Sequence, residues 1–171
     1  SNPNHREISC SHYASPTAKS NTVENLDVAI LGATEIDLDF NVNVHTDSTG
    51  RIMGGSGGHS DAAKGSNMAI VVAPLIRARL PLISEKVLCI STPGNTVDVL
   101  VTQFGIAINP ARPDLLERFN TARLPVTDIK RLKAQAESMS GVPARTRPDG
   151  KVVANVYYRD GSLLDQIRAI R

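Results

Sequence analysis

LDVAILGATEIDLDFNVNVHTDSTG, residues 26–50, is the stretch that decides the fold class. Residues 26–33 form an apolar run ended by glycine, the pattern of a buried strand. Residues 35–45, EIDLDFNVNVH, alternate strictly. Ile36, Leu38, Phe40, Val42 and Val44 fall on one face, and Asp37, Asp39, Asn41 and Asn43 on the other. Period two over that length predicts one strand over 36–44, with two carboxylates and two amides on its polar face. TDSTG, residues 46–50, is a turn.

Outward from this stretch the pattern repeats. MAIVVAPL (68–75), KVLCIST (86–92), VDVLVT (97–102) and FGIAIN (104–109) are further apolar, β-branched runs, the second and third divided by Pro93-Gly94-Asn95. Strands are expected near 27–32, 36–44, 68–73, 86–91, 97–102 and 104–108. Ser60 or Asp61 can cap a short helix over 60–66. Pro113 suits the first turn of a helix over 112–121, with Asp114 and Glu117 near its positive end. Thr127 caps a helix over 127–139, in which Ile129, Leu132, Ala136 and Met139 share a face and which Gly141 ends. Asp160-Gly161 between two alternating runs is a strong hairpin signal. Strands with interspersed helices and a C-terminal β-hairpin read as an α/β domain over 26–171. Residues 1–25 are polar, carry Pro3 and Pro16, and read as an extended lead-in.

Composition narrows the function classes. With 171 residues, 41% hydrophobic and 21% charged, the chain has the make-up of one globular domain. A net charge of +2 gives no electrostatic argument for a nucleic-acid or membrane partner. Trp is absent and aromatics are 4%, which argues against base-stacking platforms. No apolar run reaches the ~18–20 residues that span a bilayer, and SNPNHREIS lacks the apolar core of a signal peptide. Cys10 and Cys89 are expected to be free thiols, which points to a cytoplasmic protein.

The chemistry-bearing segment is GGSGGHSD. Gly54, Gly55, Gly57 and Gly58 follow a strand and open a helix, so backbone N–H groups can cradle an anion: a phosphate, or the oxyanion formed when a thioester is attacked. A ligand-free tight loop reads equally well. The segment is neither a dinucleotide fingerprint nor a P-loop. His59 can titrate near neutrality as an acid or base, or can simply bond backbone at a helix start. Glu35 and Asp37 point the same way, roughly 6–7 Å apart, and can form an acid–base pair or a hydrogen-bonded strand face. Asn41 and Asn43 can bind a polar substrate or serve that face. Arg77, after the MAIVVAPL strand, and Arg112, before a helix, are candidate partners for a carboxylate or phosphate. His45 and His59 lack metal-ligand spacing with any Cys pair, so no metal site is expected. No Ser-His-Asp or Cys-His nucleophile is legible.

Taken together, LDVAILGATEIDLDFNVNV, GGSGGHSDAA and VDVLVTQFGIAINPARPDL strongly resemble the citrate lyase α-subunit branch of the CoA-transferase superfamily. The matching features are a strand bearing Asp37, Asn41 and Asn43, the loop from Gly54 to Asp61, and the later strand Val101 to Ala107. The likeness covers nearly the whole chain, which looks like the C-terminal third of the longer family subunit. It implies an open, mostly parallel sheet. It implies a citrate CoA-transferase: acetyl-thioester plus citrate gives citryl-thioester plus acetate. The thioester carrier would be CoA or the dephospho-CoA-derived group of an acyl carrier (γ) subunit, with no cofactor bound by this chain. A lyase (β) subunit would consume the product, within an oligomeric complex. On this resemblance the backbone around Gly57, Gly58 and His59 would meet the reacting thioester; Gly54, Gly55, Asn41 and Asn43, together with Arg77 and Arg112 chosen for their positions, are the substrate-binding candidates. The glutamate that many CoA-transferases use as covalent carrier has no counterpart in Glu7 or Glu24. The chemistry would then be direct attack by the substrate carboxylate, with an anhydride intermediate. A non-catalytic docking domain of the same complex and a CoA-ester hydrolase are the alternatives.

Overall fold

The computed structural model describes residues 2–144 and 148–170. In chain order the strands are β1 (Val28–Leu31), β2 (Glu35–Asp37), β3 (Val42–Asn43), β4 (Met68–Val72), β5 (Ile76–Arg77), β6 (Leu80–Pro81), β7 (Ile83–Ser84), β8 (Val99–Thr102), β9 (Gly105–Ile108), β10 (Val152–Tyr157) and β11 (Leu163–Arg168). The α-helices are α1 (Cys10–Ala14), α2 (His59–Gly65), α3 (Pro113–Thr121) and α4 (Ile129–Ser140).

The central sheet has the order β1-β4-β8-β9. β1, β4 and β8 run parallel, and β9 returns antiparallel to β8 through a tight turn. This is the expected open α/β sheet. Alternation sets its faces. Ala29, Leu31, Ala69, Val71, Leu100 and Ala107 are in cross-strand register and point one way. α2 and α4 both pack on that side. α2 sets Ala62 against Ala29 and Leu31, and α4 sets Leu132 and Ala136 against Val71, Leu100 and Ala107. A smaller sheet, β3-β2-β7, and the β5–β6 hairpin extend the same core through Ile36, Phe40, Val42, Leu75, Leu82 and Ile83.

The stretch 35–45 is not one strand. β2 ends at Asp37, the chain reverses, and β3 pairs antiparallel with β2. The cause is Asp37 itself. Its Oδ1 accepts the backbone N–H of Asp39 and of Asn41, both at 3.0 Å, and its own carbonyl accepts Phe40 N–H at 2.9 Å. Phe40 takes φ 64°, in the left-handed region, which drops its ring into the core. The alternating apolar residues are buried as expected, but by a turn instead of by pleating.

Residues 86–91, expected as a strand, form a loop. Ser91 N–H donates to Val42 C=O of β3 at 2.8 Å, but Val87, Leu88 and Ile90 meet carboxylates in place of a neighbouring strand. Ile90 donates to Asp165 at 2.7 Å, and Val87 and Leu88 make longer contacts of 3.4 and 3.5 Å with Asp37 and Glu35. Cys89 is buried there against Val156 and Ile167 of the C-terminal hairpin. Both cysteines are free thiols, and burial, then the nearby Asp165 charge, push the Cys89 thiol up to about 12.

The N-terminal residues are not wholly extended. α1 and the 3₁₀ turn Thr22–Asn25 pack Ala14 and Val23 against α2 and β1. The expected helices near 60–66, 112–121 and 127–139 are α2, α3 and α4. The last begins two residues later than expected because Asp128, not Thr127, is its cap, accepting Lys130 N–H at 2.6 Å. The hairpin β10–β11 turns at Asp160-Gly161 as expected, with Gly161 at φ 85° and Asp160 Oδ1 accepting Ser162 N–H at 2.9 Å.

Candidate functional site

The glycine loop stands at the carboxyl end of β1, fixed at both ends. On the upstream side Met53 N–H donates to His45 C=O at 2.8 Å. On the downstream side the His59 ring pins it: Nε2 is 2.8 Å from the carbonyl of Gly32, just after β1, and Nδ1 is 2.7 Å from Thr92 Oγ1. A carbonyl only accepts, so Nε2 carries the proton and Nδ1 accepts from the threonine hydroxyl. Burial lowers the His59 pKa, which keeps this neutral form at pH 7. With both ring nitrogens engaged, His59 has no free nitrogen for general acid or base work, and its backbone N–H goes to Ser56 C=O at 3.2 Å.

Gly54, Gly55, Gly57 and Gly58 are exposed, and among the described residues none of their N–H groups has an acceptor. Gly57 takes φ 57°, where a side chain is strained. A Cβ at Gly54, Gly55 or Gly57 would meet nothing within 4 Å, and one at Gly58 would only touch the Tyr13 ring at 3.7 Å. Among the described residues packing therefore demands none of these glycines, and Gly57 alone is favoured by its backbone conformation. No side chain caps α2 at Gly58 either. An exposed set of unpaired, pre-fixed N–H groups can stabilise negative charge on an approaching ligand.

A second histidine lies beside the first. His45 Nδ1 is 2.5 Å from Ser91 Oγ, which already accepts the N–H of Val44 and of His45. Burial, then proximity to His59, lowers its pKa. Ser91 and Thr92, adjacent in sequence, thus hold two histidines that lie 14 positions apart. Nothing in the sequence announces this group, because each contact spans more than 30 residues.

The remaining expected site residues are placed as follows. Arg77 lines a cavity of about 230 Å³ with Thr34, Asp47 and Met53, next to the start of the glycine loop, and among the described residues it has no ion-pair partner. Arg112 is at the other end of the sheet. It pairs with Asp98, which precedes β8, at 2.7 Å, and bidentately with Asp114 at 2.9 Å, so its fork is filled and its pKa raised. The structure does not bring it to the loop. Asn41 gives its amide to Asp37 and takes Gly94 N–H at 2.9 Å. Asn43, fully buried, gives its amide to Glu35 and Thr46 and takes the N–H of His45 and Thr46. Neither amide has bonding capacity turned to a ligand. Glu35 and Asp37 are buried and hold the 86–91 loop and the 37–41 turn together; this is the architectural alternative for the pair. A larger cavity, about 830 Å³, lies between β6, β7 and α4, where Lys133 pairs with Glu85 at 2.8 Å and Glu137 at 2.7 Å. The glycine loop does not line it. Among the described residues no three His, Cys, Asp or Glu side chains group to hold a metal, and no helix is long and apolar enough to cross a membrane.

With this geometry in view, the comparisons with known proteins are decisive for the family. The family model "Citrate lyase, alpha subunit (CitF)" matches residues 1–170. The chain belongs to the citrate lyase α-subunit family. It is 51% identical over 170 residues to the citrate lyase alpha chain of Klebsiella pneumoniae, covering 99% of this chain and 34% of that one. It is 48% identical to the alpha chain of Escherichia coli, covering 99% and 33%. A crystal structure of the citrate lyase alpha subunit from Streptococcus mutans, described as a complex with citrate, superposes with a TM-score of 0.95 at 46% identity, over 99% of this chain and 33% of that one. The chain therefore spans about a third of the length of these relatives. The family confirms the expected resemblance, and the mixed sheet confirms the fold class.

Proposed function

We propose that this chain is the thioester-facing segment of a citrate CoA-transferase, which exchanges acetate for citrate on a CoA-like thioester within a citrate lyase complex. The observation that carries the reading is the glycine loop: four exposed N–H groups without an acceptor among the described residues, fixed by Met53 and His59 at the carboxyl end of β1. Membership of the citrate lyase α-subunit family supplies the substrate class.

The chemistry needs orientation and charge stabilisation. A citrate carboxylate oxygen attacks the acetyl carbonyl carbon, the C–S bond breaks, and a mixed anhydride and a thiolate result. The thiolate then attacks the citryl carbonyl of the anhydride and releases acetate. Each addition places negative charge on a carbonyl oxygen, which fixed N–H groups at Gly54 to Gly58 would accept. Arg77, without an ion-pair partner among the described residues and beside the loop, would hold a further citrate carboxylate by its planar fork. His59 acts on the loop's position and not on a proton. The thioester would arrive on the prosthetic group of an acyl carrier subunit, and the citryl-thioester would pass to a lyase subunit, in the cytoplasm.

The test uses a chimera in which these residues replace the matching third of the Klebsiella pneumoniae alpha chain. Acetate release from acetyl-thioester in the presence of citrate is followed. Gly57→Val keeps its N–H but cannot hold φ 57° without strain, so the loop's donors move out of place and turnover should fall by roughly 100- to 1,000-fold, the scale of one lost oxyanion donor. Gly54→Val adds bulk where no neighbour stands within 4 Å, so a loss of turnover with an unchanged circular dichroism spectrum reads on the approaching ligand. Near-parental turnover in both variants removes the loop from the reaction.

A further inference from the structure

Asp61 places a carboxylate in the first turn of α2, three residues after Gly58. There it meets the positive end of the helix that carries the His59 pin, which stabilises that helix. The same charge opposes the proposed reaction. A helix rises about 1.5 Å per residue, so the carboxylate stands within about 10 Å of the Gly57 and Gly58 N–H groups, where an oxyanion would form. The fold brings a cation to it from the other end of the chain. Arg159, in the turn between β10 and β11, donates from Nη2 to Ala14 C=O of α1 at 2.7 Å, and its Nε lies 3.3 Å from Asp61 Oδ1. The arginine side chain is 9% exposed and the aspartate side chain 25%. Among the described residues that buried Nε makes no hydrogen bond, so the pair is a contact of charge without directed geometry. A buried guanidinium with an unbonded Nε is poor architecture, since an apolar side chain fills such a place at least as well. What Arg159 adds that an apolar residue cannot is a positive charge against Asp61.

We propose that Arg159 is a positioning residue for the transfer, acting through Asp61: it cancels the carboxylate's charge and keeps the potential at the glycine loop favourable to an oxyanion. Asp61 serves the start of α2, and Arg159 removes the penalty that this carboxylate would impose on the loop. The inference rests on the transferase reading of the loop. The effect belongs to the transition state, because charge grows on the thioester oxygen only there, so kcat should respond more than the citrate KM.

The test reads the sign of two neutralising substitutions in the chimera with the Klebsiella pneumoniae alpha chain. Acetate release from acetyl-CoA in the presence of citrate is followed, with circular dichroism as the folding control. A structural tie is broken equally from either side, so in that case Arg159→Met and Asp61→Asn would both lower turnover. Charge cancellation gives opposite signs. Arg159→Met should lower kcat by roughly 5- to 10-fold, the scale of one unit charge about 10 Å away near a protein surface. Asp61→Asn should hold kcat at or above the parental value. The double variant should return to within about twofold of the parent, and Arg159→Lys, which keeps the charge, to within about threefold. A fall in Asp61→Asn, no recovery in the double variant, or parental kcat in Arg159→Met overturns the proposal. If Arg159→Met fails to accumulate, the sign of Asp61→Asn decides. Gly54→Val and Gly57→Val, measured alongside, keep two failures apart. Parental turnover in both glycine variants removes the loop reading and this inference with it. Their loss of turnover beside an unaffected Arg159→Met removes this inference alone.

Discussion

Asp37→Ala should unfold this protein's central turn, and the size of the loss can be worked from the bonds it removes. The carboxylate is 1% exposed and accepts the N–H of Asp39, the N–H of Asn41 and the Asn41 side-chain amide, at 3.0, 3.0 and 3.1–3.2 Å. Removing it strands three donors, at about 1–3 kcal/mol each when the site is closed to water. Relief from burying a charge offsets part of that. A net loss of about 3–5 kcal/mol follows, a large fraction of the roughly 5–15 kcal/mol that holds a domain folded. Phe40 adds to the effect, since its φ of 64° is tolerated only while the turn holds it. For a domain of this size the melting temperature should fall by about 6–20 °C. Asp37→Asn keeps one acceptor oxygen and should recover part of the loss. Thermal and urea denaturation followed by circular dichroism provide the measurement. An Asp37→Ala variant within about 1 kcal/mol of the parent would refute the turn-organising role. So would normal stability with abolished turnover, which would return the residue to the chemistry.

Gly94→Ala should be more damaging than any change in the glycine loop, because a Cβ there would lie 1.9 Å from Asp39 C=O and 2.8 Å from Asn41 N, backbone that cannot swing aside; little soluble protein is expected, and a stable variant would contradict the close approach. Both His45 and His59 have pKa values lowered from 6.5, so the unfolded chain binds protons that the folded chain refuses. Their contribution is whole at pH values above 6.5, falls as pH drops from there towards the folded values, and is level below them; the slope should reach at most about 2.7 kcal/mol per pH unit, and His59→Asn should flatten it in urea titrations across pH 5 to 7.5. Arg112→Ala should cost about 1–2 kcal/mol of stability through Asp98 and leave the citrate KM of the chimera unchanged; a raised KM would bring Arg112 back to the substrate.

Much of the fold was legible because local signals and global structure agree. The apolar runs at 28–31, 68–72, 99–102 and 105–108 are strands, Pro113 and Gly141 mark helix ends, and Asp160-Gly161 turns the hairpin. Legibility failed where a side chain competes with the backbone for hydrogen bonds. In EIDLDFNVNV, the period-two apolar residues do face the core, yet the Asp and Asn residues of the polar half are turn-formers that are themselves drawn inside at Asp37 and Asn43, and Asp37 uses its carboxylate to close the turn. In KVLCIST the apolar run is equally real, but Asp165 and, more distantly, Glu35 and Asp37 take the N–H groups a neighbouring strand would have taken.

The sequence by itself determined the α/β class, the hairpin, the family and the glycine loop, since each depends on residue type at fixed short spacing. Only tertiary structure decided what the polar candidates do. His59 became a pin because Gly32 and Thr92, 27 and 33 positions away, take its two ring nitrogens. Arg112 became a tie at the far end of the sheet because Asp98 and Asp114 fill its fork. Asn41 and Asn43 turned inward because the chain reverses between them and Asp37 and Glu35. Hydrogen-bonding capacity is a property of the side chain, but its use depends on which partners the fold brings within about 3 Å, and no local pattern encodes that.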